Sequence, residues 1–141
     1  ALMDAILGCL GEGDIGRLFP DTDAAFENAS SAILLDEVME LARAKGYRLV
    51  HADLTIIAQI PKVNPHRERI REAVARLLDL PPQRVNVKAT TEEGLGGTGE
   101  KKGIKCVAVV TALAPGLAPE IEQDASAAPA REPLAPPAAS R

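Results

Sequence analysis

The chain has 141 residues, enough for one domain and not comfortably two. Apolar residues make up 46% and aromatics only 2%, so the core has to be built from Leu, Ile, Val and Ala. A net charge of −4 and the scarcity of stacking side chains speak against a nucleic-acid partner, and no apolar run approaches the roughly 20 residues that span a bilayer.

Ala1 to Leu10 reads as a helix with Leu2, Ile6, Cys9 and Leu10 toward one face, broken by Gly11 and Gly13. The chain opens with Ala1 inside that pattern, which reads as a fragment or a trimmed product; no signal peptide is visible. The segment from Gly13 to Asp23 is rich in Asp and Gly and reads as a loop. Ser31 caps a helix running to about Lys45 and closed by Gly46, with Leu34, Val38 and Leu41 as its apolar stripe. Tyr47 to Ile60 reads as a strand ended by Pro61. Asn64 and Pro65 suit the start of a helix reaching about Leu78, with Ile70, Val74, Leu77 and Leu78 inward and a run of Arg and Glu outward as a solvated face. Pro81-Pro82 is a turn, Arg84 to Thr90 a strand, and a strand from about Gly103 to Leu113 follows a glycine-rich loop. Residues 114–141 hold six of the eleven prolines and little to bury, so this tail is expected to be disordered. Cys9 and Cys106 lie far apart in segments that look buried, and read as reduced core thiols rather than a disulfide.

Gly94-Leu95-Gly96-Gly97-Thr98-Gly99 fits the G-x-G-x-x-G pattern, but the glycines lead into a strand and not into a long helix. A tight or flexible connector is the better reading. His51 begins a strand and His66 begins a helix; each reads as a surface or partly buried residue rather than a metal ligand. No nucleophile–base constellation can be assembled.

Three longer segments carry the functional signal: Gly13-Asp14-Ile15-Gly16-Arg17-Leu18-Phe19-Pro20-Asp21-Thr22-Asp23, Asp53-Leu54-Thr55-Ile56-Ile57-Ala58-Gln59-Ile60-Pro61-Lys62, and Val85-Asn86-Val87-Lys88-Ala89-Thr90-Thr91-Glu92-Glu93-Gly94-Leu95-Gly96. In order and spacing they resemble the 2-C-methyl-D-erythritol 2,4-cyclodiphosphate synthase family, over Ala1 to about Leu113. The resemblance implies a cytoplasmic lyase of non-mevalonate isoprenoid biosynthesis. It converts 4-diphosphocytidyl-2-C-methyl-D-erythritol 2-phosphate to the cyclic diphosphate and releases CMP. It implies a homotrimer with a site at each subunit boundary, holding Zn²⁺ and a second ion, Mg²⁺ or Mn²⁺.

Carried over by motif, Asp14, Ile15 and Gly16 would contact the methylerythritol part, with Phe19, Pro20, Asp21, Thr22 and Asp23 beside it. Ala58, Gln59, Ile60, Pro61, Lys62, Val63 and Asn64 would form the cytosine pocket. Thr90 and Thr91 would bind the diphosphate next to Glu92, and Glu93 would hold the second metal. Taken singly, Asp21 and Asp23 read equally as turn residues, Lys62 as a surface lysine, Thr90 and Thr91 as strand-end β-formers and Glu93 as a loop acid.

The family's zinc ligands and mobile loop would precede Ala1, with Asp4 near one of those ligands. Where many relatives have Phe and Arg in a cavity on the trimer axis, this chain has Gly97 and Glu100. The expected fold is α+β, a mixed four-stranded sheet with helices on one face, trimer-forming. Residues 1–113 would form the synthase domain and 114–141 a tail. The alternatives are a catalytically inactive subunit that binds cytidine nucleotides without turnover, or a domain cut from a fusion behind a cytidylyltransferase.

Overall fold

In the computed structural model, residues 1–20 and 29–117 are described. The tail from residue 118 onward and Asp21, Thr22 and Asp23 lie outside them.

Helix α1 spans Leu2–Leu10 and buries Ile6, Leu7 and Leu10. Gly11 ends it in the left-handed region at φ 72°, and the Gly11 and Glu12 amides return to the Gly8 and Leu7 carbonyls. Helix α2, Ile15–Leu18, is one turn inside the segment read above as plain loop. Its cap explains it: Asp14 Oδ1 accepts the Arg17 N–H at 3.1 Å. Helix α3 spans Ser31–Ala44, and its cap is Ser30, not Ser31, because the Ser30 hydroxyl accepts the Ala32 N–H at 3.3 Å. Its fully buried stripe is Leu35, Val38, Met39 and Ala42, with Leu34 and Leu41 half-buried at its edges.

Strand β1, Arg48–Ile57, has a register irregularity between Leu49 and His51, which leaves Val50 without a cross-strand partner. This bulge is why both Leu49 and Ala52 are buried with Leu54, against simple two-residue alternation. A short 3₁₀ turn, Asn64–His66, with Pro65 in it, leads into helix α4, Arg67–Leu77. Asn64 therefore opens the 3₁₀ turn instead of capping α4. The outer face of α4 is laced by Glu68, which pairs with Arg67 at 3.0 Å and Arg71 at 2.7 Å. Strand β2, Val85–Thr90, buries Val85 and Val87. The glycine-rich stretch forms a single turn, α5, Gly96–Gly99, before strand β3, Lys105–Leu113.

The sheet is mixed, in the order β2-β1-β3, with β1 parallel to β2 and antiparallel to β3. The parallel pair is joined through α4, as parallel strands require a crossover. Three strands are present among the described residues where four were expected. Ile6, Leu7, Val38, Leu78 and Val87 are the largest fully buried side chains, so α1, α3, α4 and the sheet share one core.

The opposite sheet face carries no helix among the described residues. Val107 and Val109 stand 54% and 61% exposed on it. Cys9 and Cys106 are both free thiols; Cys9 is half-buried, but Cys106 is exposed near the start of β3 and is not the core thiol expected. No helix among the described residues is long and apolar enough to cross a membrane.

Candidate functional site

Strands β1 and β2 run parallel and end together, with Ile57 opposite Thr90. The ladder continues one step further, since the Ala58 N–H donates to the Thr90 carbonyl at 3.1 Å. The two following loops therefore leave the sheet side by side, at the carboxyl ends of the parallel strands where α/β sheets favour ligands.

Between them lies a hollow of about 140 Å³ lined by Ala58, Lys62, Val63, Asn64, Ala89, Thr90 and Thr91. Two motifs some thirty residues apart thus meet in one place. The volume falls below the roughly 300–1,000 Å³ that encloses a drug-sized ligand, so one chain provides room for part of a ligand such as a base. Lys62 is the one cation on this lining, and Asn64, Thr90 and Thr91 add polar side chains that can donate. Gln59, Ile60 and Pro61 are not among the lining residues: Ile60 is exposed, and Gln59 Oε1 is buried without a hydrogen-bond partner among the described residues.

The loop after β2 is shaped by its own side chains. Thr91 Oγ donates to Glu93 Oε1 at 2.9 Å and accepts the Glu93 N–H at 3.3 Å. Glu93 itself sits in the left-handed region at φ 51°, a conformation that costs a non-glycine residue about 1 kcal/mol or more. The loop then doubles back so tightly that a Cβ on Gly99 would lie 2.5 Å from the Gly94 carbonyl carbon. Glu92 Oε1 accepts from Lys105 Nζ at 2.8 Å, tying the loop to the start of β3. The outcome is a solvent-facing Glu93 carboxylate held by the Thr91 hydroxyl.

The first motif lies elsewhere. Asp14, Gly16 and Pro20 are exposed around α2, Ile15 is half-buried, and the Phe19 ring is buried in the core, where it anchors the end of the turn. None of these residues lines the hollow. Among the described residues the two motifs therefore lie apart, one at α2 and one at the ends of β1 and β2.

Two sets of bonds escaped the sequence reading, although Asp4 itself was noted there. Asp4 Oδ1 accepts the Ile15 N–H at 3.1 Å, a bond between α1 and α2 that no local pattern shows. On the uncovered sheet face, Asp53 accepts from Asn86 Nδ2 at 2.8 Å and pairs with Lys88; these two bonds hold its carboxyl below the usual aspartate range. Their alternation was visible, but their joint position needed the β1–β2 register. His51 is half-buried on β1 and His66 is exposed before α4. Among the described residues, no three or more His, Cys, Asp or Glu side chains gather as a metal-binding group.

The fold and site define an α+β domain with a polar ligand hollow at the carboxyl ends of two parallel strands, and with a second motif displaced from it. The chain belongs to the YgbB family, whose pattern matches residues 1–113.

It is 64% identical over 115 residues to the bifunctional enzyme IspD/IspF of Nitratidesulfovibrio vulgaris, a match covering 82% of this chain and 29% of that protein. It is 58% identical over 110 residues to 2-C-methyl-D-erythritol 2,4-cyclodiphosphate synthase of Geobacillus kaustophilus, covering 78% and 70%. Among solved structures, the bifunctional IspDF of Campylobacter jejuni superposes with TM-score 0.75 at 43% identity, over 79% of this chain and 30% of that one. An IspF–CDP complex from Plasmodium falciparum superposes with TM-score 0.68 at 38% identity, over 80% and 67%. The chain thus spans less than a third of the bifunctional relatives it matches.

Proposed function

We propose that this chain carries the cyclodiphosphate synthase part of a phosphorus–oxygen lyase of isoprenoid biosynthesis. The substrate is 4-diphosphocytidyl-2-C-methyl-D-erythritol 2-phosphate. The observation that carries the reading is the shared hollow, in which residues 58 and 62–64 meet Thr90 and Thr91. A relative of the same fold was solved as a CDP complex, which supports a cytidine nucleotide as the occupant.

In this reading the base sits against Ala58 and the Lys62–Asn64 segment, where backbone groups read its edge. Lys62 offsets phosphate charge and Thr90 donates to the diphosphate; Thr91, whose hydroxyl donates to Glu93 Oε1 in this structure, turns to the diphosphate when Glu93 takes a divalent ion. An oxygen of the substrate's 2-phosphate attacks the β-phosphorus. The bond from that phosphorus to the CMP oxygen breaks, and CMP leaves with the electron pair. No water is consumed and no protein nucleophile is needed; the protein supplies proximity and charge compensation.

Glu93 suits a hard divalent ion, Mg²⁺ or Mn²⁺, because such ions accept one or two carboxylates together with water and phosphate oxygens. When bound, the ion spreads the charge of the crowded phosphates. Zinc is different: the described residues offer it no ligand set, and by resemblance its ligands lie upstream of Ala1.

The two half-sites are completed between copies. The uncovered sheet face, with Val107, Val109 and the Asp53–Lys88 pair, is the surface that assembles three chains around one axis. It leaves α2 of one copy to face the hollow of the next.

Calorimetric titration of the full-length protein with CDP, paired with a CMP-release assay in Zn²⁺ and Mg²⁺, tests this. Binding and release are both expected, with Lys62→Ala weakening CDP about tenfold. CDP affinity without CMP release would instead favour a binding module, and absence of both would overturn the proposal.

A further inference from the structure

The four-residue turn α2 is too short to hold its own shape, and the structure shows what holds it. Its first amide, Ile15 N–H, is one of the donors that no helix satisfies internally. That N–H is taken by Asp4 Oδ1 at 3.1 Å, from eleven residues earlier. Asp14 takes the Arg17 N–H, and the Phe19 N–H returns to the Ile15 carbonyl at 2.8 Å.

Asp4 is itself fixed by its helix, because Ile6 and Leu7 just beyond it are wholly buried. At the far end, buried Phe19 anchors the turn in the same core. The exposed Asp14–Gly16 stretch is thus clamped between two core-anchored points. The Asp4 carboxyl is held below the usual aspartate range, chiefly by the Ile15 amide and despite some burial, so it is an ionised acceptor at neutral pH.

We infer that Asp4 is a positioning residue: through its hydrogen bond to the Ile15 amide it presets Asp14, Ile15 and Gly16 to receive the polyol part of the substrate. This rests on the reading above that those residues meet the methylerythritol portion. It goes beyond that reading by assigning the preorganisation to a residue outside the motif.

The test compares Asp4→Asn, Asp4→Glu and Asp4→Ala in the full-length protein with Zn²⁺ and Mg²⁺ present. Asn keeps an acceptor oxygen without the charge; Glu keeps the charge but moves the oxygen by a methylene. Two ligands separate the half-sites: the cyclic diphosphate product reports on α2, and CDP on the hollow. Product affinity is expected to stay within about twofold for Asn and to fall about tenfold for Ala and Glu, with CDP affinity unchanged in all three. Amide exchange at Ile15 should accelerate in Ala and Glu only.

Loss in Asn equal to that in Ala would mean the charge matters and not the bond, and would overturn the inference. So would an Ala variant with unaltered product affinity, or a parallel loss of CDP. If Ala does not fold, the Asn–Glu pair decides alone. Wild-type protein that binds neither ligand overturns the functional reading itself, whereas normal wild-type binding with an indifferent Ala variant removes only the role of Asp4.

Discussion

The two faces of the sheet are built from the same three strands and have opposite fates. Toward the helices, Leu49, Ala52, Leu54, Val85 and Val87 are buried in a core shared with α1, α3 and α4. Away from them, Val107 and Val109 stay more than half exposed beside the Asp53–Asn86–Lys88 cluster. Apolar side chains alone therefore do not distinguish a finished core from an unfinished one. The difference is that one face finds its cover within the chain, while the other has none among the described residues and is the surface proposed above to meet a second copy.

The sharpest contrast comes from trimming each face in turn. Leu7 is fully buried between α1 and the rest of the core. Leu7→Ala is expected to lower the unfolding free energy by about 2–5 kcal/mol in urea titrations, through lost burial and the cavity left behind. A change under about 1 kcal/mol would mean that α1 is not part of the cooperative core. Val109→Lys places a charge on the open face, opposite Asp53 in the β1–β3 register. The fold of the single chain should change by no more than about 0.5 kcal/mol. Sedimentation should nevertheless show the assembly broken into monomers, and the melting temperature should lose its dependence on protein concentration. An unchanged oligomer would erase the distinction drawn between the two faces.

Much of this was legible in the sequence, and for local reasons. The helices at 2–10, 31–44 and 67–77 follow apolar residues spaced three and four apart, and the β-branched run through Ile57 marks β1. What failed was decided by neighbours. Ser30 and Ser31 are equivalent as caps until the chain direction before α3 is fixed. The α2 turn is capped by Asp14 and also bonded to Asp4, eleven residues before Ile15, and the second of these contacts is not a local pattern, so Gly13–Asp23 read only as loop. The bulge at Val50 moves the inward set of β1 in a way that alternation cannot show. Cys106 looked like core because its strand is apolar, yet it lies toward the exposed start of β3.

The site was legible unevenly. Ala58, Lys62, Val63, Asn64, Thr90 and Thr91 do meet, because parallel pairing brings two strand ends together. Asp14, Ile15 and Gly16 do not join them within the chain, a separation that motif order alone does not reveal.

That separation gives the most direct test. One full-length chain carries Asp14→Ala and another Glu93→Ala, each slow in CMP release by itself, and the two are unfolded together and refolded as a mixture. If a site takes α2 from one copy and the Thr90–Glu93 loop from the next, each mixed trimer regains an intact site, and the mixture should release CMP well above the sum of its parts. A mixture no faster than the two variants assayed apart would contradict a site shared between chains.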